Sequence, residues 1–363
     1  MSEVVALQKH PCAACGAQAV WDAAKQRLVC PFCGTETPFA IDKDGKVQEL
    51  DLVAALRSIP DEQRGWQTER RSVQCQSCKA VMVYDPARVG QNCEFCGSPA
   101  LVDYQEIKAP IRPQSLLPFK VTQAQVRDQM HAWYGGRWFA PGTLKSRALV
   151  DQVKGVYLPY WTFDAQARCP WEAEAGYYYY VQEEYRDDQG RAQVRQVQKV
   201  RWEPASGEVS HFFDDEPVPG SKGVDVTLLR RVEPFPTKEL VPYDTAYLSG
   251  YVVEHYQVVL VDAVKQSRDA MQRQLLELCA KEVPGDTQRG LRIFPEYSGE
   301  TFKHILVPVW LFTYTYGSRV YQVVANGYTG QIAGRYPKSP WKVAGAVLLA
   351  IVIVLLILVL SQH

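Results

Sequence analysis

Hydrophobic and polar positions alternate differently along the chain, and each rhythm predicts an element. The run "DLVAALRSIP" at 51–60 has helical spacing and stops at a proline, so a short helix is expected before the polar stretch "DEQRGWQTERR". Thr122 followed by Gln125 is a capping box. It opens a helix with Val126, Met130 and Trp133 on one face, closed by Gly135 and Gly136. Period-two patterns then take over. Residues 176–202 read as one long hairpin turning at 188–190, with tyrosines on both faces, so an element covering one face is expected. Residues 250–262 read as a strand. A helix from about 263 to 282 carries Val264, Met271, Leu275 and Leu278, and Pro284-Gly285 ends it. Residues 319–337 form a last hairpin, its turn set by Asn326-Gly327.

Two repeats emerge from this pattern. "VYLPYWTFDA" at 156–165 echoes "ILVPVWLFTY" at 305–314 through Pro159/Pro308, Trp161/Trp310 and Phe163/Phe312. The Trp and Phe of each copy fall on one strand face, as core strands of two related halves; a ligand-stacking platform is the other reading. The second repeat is of cysteines. Cys12, Cys15, Cys30 and Cys33 are spaced C-x2-C-x14-C-x2-C, and Cys75, Cys78, Cys93 and Cys96 repeat that spacing 63 residues later. "VWD" at 20–22 answers "VYD" at 83–85, and "CPFCG" at 30–34 answers "CEFCG" at 93–97.

The spacing has a chemical reason. Two cysteines separated by two residues turn both sulfurs toward one ion, and a following glycine takes a positive φ that aims backbone N–H groups at them. Two such knuckles on a hairpin make a tetrahedral set of thiolates with no open position, the pattern of structural zinc. Each unit reads as a zinc ribbon, one Zn2+ apiece, with Val20, Trp21, Val83 and Tyr84 beneath the metal. Iron in a rubredoxin-like site and redox or disulfide pairs are the other readings of the same cysteines. His10 beside Cys12 is a spare ligand. Cys169 and Cys279 lie too far apart in sequence context to expect a bridge.

Charge narrows the partners. The chain is formally neutral, and residues 1–104 hold 11 Lys+Arg and 13 Asp+Glu. Nucleic-acid affinity comes from neutralising phosphates, so nucleic acid is not the expected partner. No phosphate-binding loop, G-x-G-x-x-G, G-x-S-x-G or H-E-x-x-H occurs, and the six histidines are scattered. Glu254 and His255, if in a strand, point to opposite faces. No catalytic residue is assigned. Residues 343–360 are uncharged and 18 long, which as a helix spans roughly 27 Å. With Trp341 and the basic Arg335, Lys338 and Lys342 on the N-terminal side, they predict a single-pass anchor in the inner membrane, the bulk of the chain in the cytoplasm.

Along nearly its full length the chain resembles a family of bacterial tandem zinc-ribbon membrane proteins, through the paired knuckles, "LPYW", "YLSGY", "FKHILVPVWLFTY" and "ANGYTGQIAGRYP". Members are often labelled primosomal protein N′, the replication-restart helicase; the missing nucleotide-binding loop rejects that label here. Some relatives look like partners of SPFH (band-7) scaffold proteins and of phage-shock-protein-A-like proteins, so the resemblance implies such a scaffold as partner. The expected fold class is α+β: zinc ribbon 1 (1–40), a short helix and linker (41–70), zinc ribbon 2 (71–104), a β-rich region with two echoing halves (105–340) and a C-terminal transmembrane helix (341–363). The expected function is a membrane-tethered adaptor. A tethered nucleic-acid-binding regulator and an unrecognised enzyme in the β-rich region are the alternatives.

Overall fold

The computed structural model describes residues 10–37, 47, 49–57, 71–84, 93, 95, 98, 101–103, 111–141, 153–186, 192–316 and 319–361. Ribbon 1 is a three-stranded sheet of β1 (Val20–Asp22), β2 (Arg27–Val29) and β3 (Glu36–Thr37). The short strand β4 (Leu50–Asp51) runs into α1 (Leu52–Arg57). Ribbon 2 is also three-stranded, from β5 (Arg71–Cys75), β6 (Val81–Tyr84) and β7 (Leu101–Asp103), but with β5 in the middle where ribbon 1 has β2.

The body is built on a ten-stranded sheet that also takes in β4. Its first strand is β8 (Ser115–Leu116), and then comes α2 (Gln123–Gly135), which carries the capping box of Thr122 and Gln125. The two longest strands, β9 (Lys154–Arg186) and β10 (Ala192–Pro219), pair antiparallel. Helix α3 (Val226–Val232) and the short strands β11 (Val241–Pro242) and β12 (Val252–Val253) lead to α4 (Leu260–Glu282). The chain continues through β13 (Thr287–Ile293), β14 (Glu296–Tyr316), β15 (Arg319–Asn326) and β16 (Ile332–Gly334) to α5 (Pro340–Ser361).

The sequence echo has a physical basis. Its two copies sit side by side, β9 and β14 pairing antiparallel with Val307 opposite Leu158. Around that pair the structure repeats itself with approximate two-fold symmetry. Pro159 O accepts Gly220 N at 2.8 Å, and Pro308 O accepts Gly327 N at 2.8 Å. Gly220 O accepts Val258 N at 3.1 Å, and Gly327 O accepts Val121 N at 2.8 Å. Trp161 Nε1 donates to Val258 O and Trp310 Nε1 to Val121 O, both at 2.9 Å. Each accepting carbonyl lies just before a helix, α4 or α2. The short leads match too: β12 pairs parallel with β9, and β8 parallel with β14. The lead before one hairpin therefore packs on the other hairpin, which ties the halves together. Trp161, Phe163, Trp310 and Phe312 are all buried, as core residues rather than a ligand platform.

One half carries an extension. β13 covers the outer edge of β9 only as far as Gly176, opposite Thr287. Beyond it, residues 177–186 and 192–201 continue as a two-stranded arm of about 33 Å. Tyr178, Tyr179, Tyr180 and Tyr185 are exposed there, so the expected covering element is not among the described residues; the expected turn at 188–190 lies outside them. Isolated two-stranded ribbons are marginal in water. Glu183 helps hold this one, meeting Lys199 at 2.9 Å and Arg195 at 3.6 Å.

Several expectations are corrected. Among the described residues, no helix is long and apolar enough to cross a membrane. Helix α5 does form, with the side chains from Val347 to Leu355 exposed. The fold is β-rich, 45% strand against 26% helix, with large antiparallel sheets. The α+β chain closing on a transmembrane helix is corrected on that finding, and with it the membrane as partner and the inner-membrane localisation. This finding concerns helices alone. Asn326-Gly327 does not make a two-residue turn, because β16 begins only at Ile332. The buried Asn326 carboxamide instead accepts the N–H groups of Tyr328 and Thr329, at 2.9 and 3.0 Å, and donates to Val232 O. Cys169 and Cys279, 110 residues apart, lie with their sulfurs 3.8 Å from each other in the core.

Candidate metal centres

The four C-x-x-C segments share one backbone hydrogen bond. The first cysteine's N–H reaches the carbonyl five residues on: Cys12 to Ala17 at 2.7 Å, Cys30 to Thr35 at 2.9 Å, Cys75 to Ala80 at 3.0 Å and Cys93 to Ser98 at 2.7 Å. The residue after the second cysteine donates back to the first, as Gly16 does at 2.8 Å, Gly34 at 3.0 Å and Lys79 at 2.9 Å. That residue needs a left-handed backbone, with φ +72° at Gly16, +73° at Gly34 and +65° at Lys79. A lysine there is strained by its Cβ. Replacing Lys79 by glycine is expected to stabilise the protein by about 0.5–1 kcal/mol in denaturant unfolding, the relief exceeding glycine's entropic cost. An unchanged or lower midpoint would contradict the strain.

These turns converge the sulfurs. Cys12 and Cys33 are 3.5 Å apart, as are Cys15 and Cys30, and all four sulfurs lie within 4.8 Å of one another. A zinc ion about 2.3 Å from each of four thiolates sets edges of roughly 3.8 Å, so the set fits such an ion. In ribbon 2, Cys75, Cys78 and Cys93 meet the same limit, with Cys78 and Cys93 3.6 Å apart. Cys96 lies outside the described residues. The N–H of Phe95 donates to Cys93 Sγ at 3.4 Å, which stabilises a thiolate there. The Thr35 hydroxyl, with its backbone, pulls Cys33 down to about 6. Cys15 gains an N–H from Ala17, but crowding by the Cys33 and Cys30 sulfurs outweighs it and pushes the thiol up to about 12. A cation at the centre relieves that crowding by favouring all the thiolates. None of the described cysteines forms a disulfide. His10 does not join the ribbon 1 ligand group.

The ribbons are anchored differently. Trp21 leaves ribbon 1 and packs in the body's core against Tyr247, ring centres 4.5 Å apart, rather than beneath the metal. Its backbone N–H donates to Ser249 O at 3.0 Å, and Ser249 Oγ donates to Ala19 O at 2.7 Å. Val20 stays half-buried, while the side chains of Val83 and Tyr84 lie outside the described residues. The metal end of ribbon 1 faces outward, with Cys15 and Cys33 exposed. Ribbon 2 is turned inward. Cys75, Cys93 and Phe95 belong to the body's core with Leu117, Leu158 and Leu228. A Cβ on Gly223 would lie 2.6 Å from the Ala80 Cβ, so only glycine lets the 220–225 segment close over ribbon 2.

Buried ionisable groups elsewhere were missed by sequence patterns. Lys303 is enclosed by Asp215 at 2.7 Å, Glu49 at 3.0 Å and Asp164 at 3.5 Å. Its ammonium already fills the Asp164–Asp214–Asp215 cluster that would otherwise attract a cation. An i, i+2 strand pattern on 301–303 hints at the inward Thr301 and Lys303, but nothing local names the carboxylates. Glu254 and His255 are both buried, past the end of β12. Burial raises the Glu254 carboxyl to about 7. His304 stacks on Trp161 at 4.7 Å, and its Nδ1 donates to Ile111 O at 2.8 Å. Burial depresses its imidazole from the ordinary histidine value of about 6.5 to about 3. The unfolded chain therefore binds this proton and the folded one does not between those values. This contribution is absent above about pH 6.5 and costs stability progressively as pH falls toward 3. The expected loss by pH 3 is of the order of 4–5 kcal/mol, and His304→Gln should flatten that acid limb. An acid limb identical in the variant would contradict the assignment.

The protein YdjG of Bacillus subtilis (strain 168), described only as uncharacterized, is 22% identical to this chain over 249 residues, covering 68% of this chain and 70% of the relative. No protein-family profile matches the chain, and no solved structure does.

Proposed function

We propose that the protein is a non-enzymatic adaptor: two structural zinc ions clamp the ribbons, and the body carries a recognition arm for another protein. The observation that carries the reading is the arm itself. It projects past β13, has no counterpart among the described residues of the other half of the body, and exposes four tyrosines. Rigid aromatic side chains of this kind supply most of the energy of protein recognition. The cysteine sets support the rest. Four thiolates around one ion leave no coordination position for substrate or water, so the metals hold shape and do no chemistry. The ribbon sequences have a slight acidic excess, which disfavours nucleic acid.

A shortened arm tests this. Replacing residues 178–200 by Asn-Gly should leave the unfolding midpoint within about 3 °C, because the arm lends little to the core. It should also remove the protein that co-purifies with the intact chain after crosslinking in cells. Retention of the same partner by the shortened chain would refute the arm's role. Salt-sensitive micromolar binding of DNA by the intact chain would refute the adaptor reading in favour of a nucleic-acid regulator.

A further inference from the structure

Eight of the ten cysteines belong to the knuckles. The other two, Cys169 and Cys279, are 110 residues apart in sequence and meet in the core. Cys169 lies in β9, opposite Val209 of β10. Cys279 lies in α4, which packs on that strand pair. Both are 0% exposed, and their sulfurs are 3.8 Å apart. Neither joins a metal-ligand group among the described residues. One buried cysteine is ordinarily a small hydrophobe. Two that touch through their sulfurs, on separate elements, are also a dithiol set for ring closure. A disulfide holds its sulfurs about 2.05 Å apart, so the pair must close by roughly 1.8 Å, divided between two side chains that each turn about χ1.

Access comes from the helix end. Cys279 is the last buried residue of α4, and Lys281 and Glu282 after it are exposed. The Gln288 side-chain amide holds that final turn to β13, donating to Ala280 O at 3.0 Å. Terminal turns open at lower free energy than helix interiors. In the closed protein, burial and then the Cys169 sulfur push the Cys279 thiol up to about 12. The closed core therefore holds this sulfur as a thiol and not as the reactive thiolate.

We propose that Cys169 and Cys279 are a redox-modification site, a dithiol that hydrogen peroxide converts into a disulfide joining α4 to β9. The reaction begins when the last turn of α4 opens and the Cys279 thiol ionises. Its sulfur attacks one peroxide oxygen: an S–O bond forms, the O–O bond breaks, and the proton lost from the thiol leaves with the hydroxide as water. Cys169 then attacks the Cys279 sulfenic acid. The S–S bond forms, the S–O bond breaks, and a second water carries off the Cys169 proton. The two thiols lose two electrons and the peroxide takes both. The ring so closed, 169–279, contains all of β10 and the described arm, so the bridge restricts the unfolded chain over a long span. Neither the metals nor the arm's tyrosines take part, so the site goes beyond the adaptor reading and stands or falls separately from it.

The full chain tests it. The folded protein is treated with hydrogen peroxide, its remaining thiols are alkylated, and it is digested with trypsin without reduction. Cleavage after Arg168, Arg186, Arg273 and Lys281 puts the two cysteines in separate peptides, 169–186 and 274–281, each with a single cysteine. The expected product is these two peptides joined, separating again on reduction with dithiothreitol. Peroxide should also raise the unfolding midpoint by about 5 °C or more over the change that the same treatment produces in Cys279→Ala. Oxidation of the knuckles, common to both chains, cancels in that difference. The joined peptides need no variant, so they decide the matter even if Cys279→Ala folds poorly. Both peptides still alkylated and unjoined after peroxide, joined peptides that form only in urea, or either peptide joined instead to a knuckle cysteine would overturn the proposal.

Discussion

Removing a candidate metal ligand from ribbon 2 should lower the stability of the whole body. Cys93→Ser should drop the main unfolding midpoint by about 10 °C or more. A structural zinc contributes on the order of 10 kcal/mol to folding, comparable with the entire stability of a typical domain. A loss of even about 4 kcal/mol shifts a body of this size by roughly that much. The effect spreads because Cys75, Cys93 and Phe95 share a core with β9, β14 and α3. Gly223, pressed on Ala80 and Phe95, transmits any loosening to the 220–225 segment. Cys30→Ser should act more mildly. Ribbon 1 meets the body chiefly through Trp21, and its metal end faces outward. A separate early transition in that variant, with the main one nearly in place, is the expected calorimetric trace. A Cys93→Ser chain melting within about 2 °C of the parent would contradict the shared core.

The second large effect concerns the echoing tryptophans. Trp161→Ala should cost about 5 kcal/mol or more. Emptying so large a buried site costs roughly 3–5 kcal/mol, and the Val258 carbonyl it leaves without a partner adds about 1–3. Trp310→Ala should cost a similar amount, because Trp310 is bonded to Val121 O in the equivalent place of the other half. Trp161→Phe should recover most of the packing and none of the hydrogen bond, so its loss should fall between the two extremes. Denaturant midpoints at constant slope measure all three. If either alanine variant lost less than about 1 kcal/mol, the two halves would not be energetically equivalent.

These expectations also show what the chain discloses before folding. The knuckles were legible because a cysteine set is local: two residues of spacing and one left-handed position decide it. The α2 cap was legible for the same reason. The Trp/Phe echo identified the two central strands, since strand period and side-chain type coincide. The exchange of leads was not legible, because residues 115–121 (SLLPFKV) and 252–258 (VVEHYQV) share only the valine at the end and differ in polarity at Ser115/Val252 and Leu117/Glu254. Cys169 and Cys279 come together only because α4 packs on β9, a contact that no local spacing encodes. The tyrosines at 177–180 misled, since an exposed ribbon and a covered sheet give the same period-two pattern. Asn326-Gly327 misled similarly: the pair fits a tight turn, but burial of the Asn326 side chain against Val232 requires a longer loop. The C-terminal run was read as a membrane anchor from its uncharged length, Trp341 and the basic Arg335, Lys338 and Lys342 before it, and that reading is corrected by the helix finding.

The central claim is that two four-thiolate sets hold the ribbons through structural zinc. Elemental analysis of the purified full chain, paired with thiol titration before and after chelation, tests it most directly. The prediction is about two zinc ions per chain, with the eight knuckle cysteines protected until zinc is removed. Iron in place of zinc, less than one equivalent of any metal, or knuckle thiols that react at once in the untreated protein would contradict it.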